Sequence, residues 1–194
     1  MLRYAQPDKL YVTLNSRIFS SPIRSIESIS MKKRWLIYLL IGVLFGIFDF
    51  YYQTWTQPLF PFTPFGNIAL MVAVLSVWLV MVIPIAIREA KASRSVWLAA
   101  AASAFSWSVS IISYYLFMAV KLILIGQPGR EEMHFSNRSD PYFWSNIKSV
   151  FIGDILAGIG EWILVALIGG CLVGLVAGWI VLKRQNASLP AAQG

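Results

Sequence analysis

Of the 194 residues, one is cysteine and one is histidine. A lone Cys171 excludes an intramolecular disulfide, and a lone His134 excludes two-histidine zinc motifs such as His-Glu-x-x-His. Neither a phosphate-binding Walker loop nor a Gly-x-Ser-x-Gly turn occurs. Charge is scarce as well: Asp, Glu, Lys and Arg make up 13% of the chain against 58% hydrophobic residues. That leaves too little polar surface to coat a soluble globule, so the chain requires an apolar solvent. The expectation is a protein that is not an enzyme, with no cofactor and no metal.

What the sequence has instead is length of apolar run. Four such runs cover about 35–52, 68–87, 96–125 and 155–182. About 20 helical residues cross a hydrocarbon core of roughly 30 Å, so each run is long enough to span one. The runs are continuous rather than alternating, which predicts helices and argues against a barrel. The predicted fold is an all-α integral membrane protein, a bundle of about four transmembrane helices occupying 31–185, with a polar arm at 1–30 and a flexible tail at 186–194. The arm is interrupted by proline and poorly periodic. It reads either as a flexible arm or as sequence upstream of a true start at Met31, where Met-Lys-Lys-Arg-Trp is an ordinary beginning for a bacterial membrane protein. No Ala-x-Ala cleavage site follows the first run, which argues against a cleaved leader.

The net charge of +7 would suggest nucleic acid in a soluble protein, but here the basic residues stand at the ends of apolar runs. Lys32, Lys33 and Arg34 precede the first run, Arg88, Lys91 and Arg94 follow the second, and Lys183 and Arg184 follow the fourth. By the positive-inside rule these segments and both termini are cytoplasmic. The uncharged loop at 53–67 and the charge-balanced loop at 126–149 then face outward. Trp35, Trp97 and Trp179 fall near the inner interface and Trp55 and Trp144 near the outer one, as aromatic belts require. The expected location is a bacterial cytoplasmic membrane, with the lipid bilayer and a homodimer or membrane-protein partner as contacts and no nucleic acid.

A stretch of 30 residues makes about 45 Å of helix, so the third and fourth runs are overlong. Before the fourth, Trp144, Ile147, Val150, Phe151 and Ile155 recur at helical spacing, while Ser145, Asn146, Lys148 and Ser149 share another side. This pattern predicts an amphipathic interfacial helix on the outer surface, with Gly153, Gly158 and Gly160 supplying a bend into the last span.

Packing signals are strong. Ala166, Gly170, Gly174 and Gly178 line one ridge of the last helix, and Gly42 and Gly46 lie in the first. Small side chains let backbones approach, so these two antiparallel helices are expected to meet along their glycine faces, or one of them to form a homodimer contact. In the third helix Ser103, Ser106, Ser110 and Ser113 form a hydroxyl stripe. It reads as close packing, each hydroxyl bonding a carbonyl one turn back, or as a transport path.

Four ionisable residues fall in the outer half: Asp49, Lys121, Asp154 and Glu161. Such groups cost free energy in a membrane unless used or paired, so they are candidates for a polar pocket that binds a cation or proton, with Lys121 as counter-ion. The alternative places each at headgroup depth, with Lys121 snorkelling. Pro58, Pro61 and Pro64 alternate with Phe60, Phe62 and Phe65 at the period of a polyproline helix, and Pro84 should kink the second span. Asn137-Arg138-Ser139 has the pattern of a glycosylation acceptor, a weak signal.

The functional expectation is a non-enzymatic subunit or accessory factor acting through helix contacts. Its alternative is a small transporter or solute-binding component with an outward-facing polar pocket; an intramembrane enzyme would lack a histidine base within a span. Alkaline phosphatase fused after Phe60 should be active and a fusion after Arg94 inactive; the reverse pattern would invert this topology.

Overall fold

The computed structural model describes residues 30–125 and 141–187. The arm before residue 30, the outer-loop positions 126–140 with His134 and Asn137, and the tail from 188 lie outside the described residues. The chain divides into two units, Met1–Arg34 and Trp35–Gly194. Described residues of the first unit open helix α1, with the Arg34 N–H donating to the Ser30 carbonyl at 3.2 Å.

Helix α1 covers Met31–Thr56 and is followed by a 3-10 turn at Gln57–Leu59. The remaining elements are α2 (Pro64–Ser93), α3 (Val96–Ile125), α4 (Phe143–Val150), a π-helical segment (Phe151–Leu156) and α5 (Ala157–Ala187). No strand occurs among the described residues. Among the described residues, four helices are long and apolar enough to cross a membrane. The last of them runs on from α4 through the π-helical segment into α5, a path of 45 residues. At 1.5 Å per residue that path is about 67 Å, twice a hydrocarbon core.

Local chemistry sets the helix ends. The Thr63 hydroxyl accepts the Gly66 N–H at 3.0 Å and Pro64 takes the first helical position, where its missing N–H costs nothing. Pro64 is thus helical, and the proline triplet does not form one uniform polyproline stretch. Gly66 is required here, because a Cβ at that position would overlap the Pro61 carbonyl oxygen. Helix α2 closes on Arg94, held left-handed at φ 50°, and the Ser95 hydroxyl accepts the Leu98 N–H at 3.3 Å to start α3. A two-residue turn makes α2 and α3 antiparallel neighbours.

Helix α3 is the centre of the bundle. Of its spanning window 44% is buried, against 22–28% for the other three. The reason lies in two faces of small residues. On one, Ser106 and Ser110 receive α1: a Cβ on Gly42 would stand 2.8 Å from the Ser106 carbonyl oxygen, and one on Gly46 would overlap that of Ser110. On the other, Ala104, Ala100 and Ala99 receive α5. A Cβ on Gly170 would lie 2.6 Å from the Ala104 Cα, one on Gly174 2.5 Å from the Ala100 Cα, and one on Gly178 3.2 Å from the Ala99 Cβ.

The glycine faces of the first and last spans therefore do not meet each other, contrary to the pairing read from the sequence. Each closes on α3, because alanine and serine are also small enough to let a glycine ridge approach closely. The serine stripe serves this packing. Ser103 Oγ returns to the Ala99 carbonyl at 2.8 Å, Ser106 Oγ crosses to the Tyr38 carbonyl at 3.5 Å, and Ser110 Oγ is buried without a hydrogen-bond partner.

The opposite side of α5 exposes Leu164, Ile168, Leu172 and Val176 at four-residue steps. A helix apolar on all sides is suited to protein on one face and lipid on the other. Since the glycine clearances end on backbone atoms, Gly46→Ala and Gly174→Ala should each destabilise the protein by about 1–3 kcal/mol. Gly160→Ala, whose Cβ would meet nothing within 4 Å, should not lower the thermal midpoint in detergent. Equal losses at all three positions would contradict the seams.

Candidate functional site

One turn beyond Gly46, α1 places Asp49 inside the bundle, with no exposed surface. A further turn on, Gln53 Nε2 donates to Asp49 Oδ2 at 2.9 Å, and the Tyr114 hydroxyl of α3 donates to Gln53 Oε1 at 3.3 Å. This chain of donors aims the carboxylate. Taking an aspartate into a spanning helix costs about 3 kcal/mol, and hydrogen bonds of this kind offset part of that cost.

Asp49 lines a cavity of about 260 Å³ to which all four spans contribute. Its walls include Trp78 of α2, Ile111, Tyr114 and Tyr115 of α3, and Trp162 of α5. Met71, 52% exposed, forms its rim. Trp78 reaches the interior because Val74, Trp78, Val82 and Ile85 form the buried face of α2, and its ring stacks on Trp107 at 5.4 Å. Tyr115 fits because α5 presents Gly158 to it; a Cβ there would overlap the phenol.

The structure does not bring the four sequence candidates together. Asp49 lines the cavity, and Lys121, Asp154 and Glu161 do not. The half-buried Lys121 holds its Nζ 4.9 Å from the Phe50 ring centroid and 5.5 Å from that of Tyr51, a cation–π seat on α1. Asp154, in the π-helical segment, and Glu161, in α5, are exposed. They share a helical side, but each stands one position before a residue turned inward, Ile155 and Trp162, and so about 100° away from the packed face.

A second buried carboxylate escaped the sequence reading. Glu89 of α2 has no exposed surface, and the Tyr38 hydroxyl of α1 donates to its Oε2 at 2.9 Å. Its neighbours Arg88 and Lys91 made the segment look like a polar helix end. The signal was nevertheless present: Val74, Trp78, Val82, Ile85 and Glu89 follow one another at four, four, three and four residues, which puts Glu89 on the core face.

Chemically, the Asp49 cavity offers one carboxylate, one amide and four aromatic rings. Its walls contain no serine, cysteine or histidine. Among the described residues no three of His, Cys, Asp and Glu come together as a metal site. Such a wall can hold a single positive charge. The chain matches no protein-family model, no curated protein and no solved structure.

The Glu89 contact generates a test separate from the cavity. Tyr38→Phe removes one hydrogen bond to a buried carboxylate and should lower stability by about 1.5–3 kcal/mol, read as a fall in the thermal midpoint, while Tyr51→Phe at an exposed position should change little.

Proposed function

We propose that this chain is a non-enzymatic, multi-pass protein of the cell membrane that binds a small organic cation in the Asp49 cavity. The observation that carries the reading is a fully buried carboxylate in the wall of a cavity that Trp78, Tyr114, Tyr115 and Trp162 also line. A carboxylate supplies the opposite charge and ring faces supply cation–π attraction, a combination suited to an ammonium group rather than to an anion or a neutral sugar. The volume suits a ligand smaller than most drug-sized molecules.

In the proposed topology both termini are cytoplasmic. Asp49 then lies in the outer half and the cavity is reached from outside. Helix α4, with exposed Trp144 beside exposed Ser145, Asn146, Lys148 and Ser149, rests in the outer interface. Four spans are few for a carrier that works alone, so transport of the bound cation would call for a second copy or a partner. The competing role, an accessory factor acting through helix contacts, drew its support from the glycine ridges; α3 of the same chain occupies those ridges.

The test is calorimetric titration of the purified protein with tetramethylammonium and tetraethylammonium. Saturable binding is expected, weakened by about tenfold or more in Asp49→Asn and unchanged in Glu161→Gln, since truncating one partner of a buried charge pair costs about 2 kcal/mol or more. Absence of binding, or full affinity in Asp49→Asn, would reject the reading.

A further inference from the structure

A larger depression, about 520 Å³, lies away from the Asp49 cavity, between α2 and α5. Its lining is apolar along Leu79 and Ile83 on one side and Val176 and Ile180 on the other, and it ends at Arg184. A smaller adjoining depression shares Arg184 and adds Lys91. The groove is therefore hydrocarbon over most of its length and doubly cationic at one end.

Its dimensions match one leaflet. Leu79, Ile83, Ile87 and Lys91 form a single four-residue ridge of α2, about 18 Å from end to end at 1.5 Å per residue. Half of a bilayer core is about 15 Å. An occupant whose tail fills the groove thus has its polar group at headgroup depth, where Lys91 and Arg184 stand. A lipid with a phosphate carries its negative charge at that depth by constitution, whereas a helix from a partner would need an acidic residue placed there.

We infer that the α2–α5 groove is a binding site for an anionic glycerophospholipid, with one acyl chain along Leu79, Ile83, Val176 and Ile180 and the phosphate between Lys91 and Arg184. The two cations also complement the negative C-terminal ends of α2 and α5, a role that requires no ligand. What that role does not account for is the apolar groove leading to them. The neighbouring Lys183 is engaged differently, with its Nζ 4.9 Å from the Trp179 ring centroid, and serves as an internal control. The site does not depend on the cation reading of the Asp49 cavity; only its assignment to the cytoplasmic leaflet follows from the proposed topology.

The experiment is native mass spectrometry of the delipidated full chain in detergent, with phosphatidylglycerol or phosphatidylcholine of identical acyl chains added. Phosphatidylglycerol should be retained about tenfold over phosphatidylcholine, given the attraction of each basic residue for anionic lipid. The preference should vanish in the double variant Lys91→Gln, Arg184→Gln and persist in Lys183→Gln. Val176→Trp, which fills the groove, should lower occupancy by both lipids at an unchanged thermal midpoint. Equal retention of the two lipids by the wild type, a measurement that needs no variant, would overturn the inference. So would a preference that survives the double variant, or displacement of the lipid by inorganic phosphate at matched concentration.

Discussion

Backbones can approach closely only where nothing larger than a methyl or hydroxymethyl group stands between them, and α3 meets that condition on two sides. Its serine face takes the glycines of α1 and its alanine face those of α5. In lipid there is no hydrophobic force to drive helices together, so dispersion across such close seams carries much of the association. The rest follows from that geometry. Because α1 and α5 are drawn against α3, the large residues between the seams, Trp78 and Trp107 among them, must stack into the remaining volume. What they leave unfilled is the cavity at Asp49.

The two buried carboxylates illustrate different uses of burial. Glu89 meets a tyrosine hydroxyl from a neighbouring helix inside packed side chains, an arrangement that ties α2 to α1. Asp49 meets an amide that is itself held by a tyrosine, and beside it there is open volume. The first is enclosed by packed side chains, and the second stands at a cavity wall, the position on which the proposed cation binding rests.

Much of the fold was legible in the sequence, because run length and hydropathy are what the bilayer tests. The four long apolar helices lie where continuous apolar sequence predicted them, each reaching further than its apolar run or as far, the last counted from Phe143. Gly42, Gly46, Gly170, Gly174 and Gly178 were recognisable as packing residues, since all are buried against another helix. Their partner was not, because periodicity along one helix reports a face and not what covers it. The site was legible only in part. Asp49 could be found as a charge in an apolar run, but Gln53, Tyr114 and Trp162 carry no sign in sequence that they share a wall. Asp154 and Glu161 misled because a common helical side was read as an inward one, a distinction that the neighbouring Ile155 and Trp162 decide. Glu89 was hidden by its basic neighbours.

Both seams of α3 join residues more than sixty positions apart, Gly46 to Ser110 and Ala104 to Gly170. For a helical protein these are distant partners, and contacts of large sequence separation form late and slowly. During synthesis the glycine face of α1 is made well before the serines that cover it, and the alanine face of α3 waits in turn for α5. Assembly therefore has a direction imposed by chain order. A chain halted after α3 holds one seam, and the other is open to whatever lies beside it.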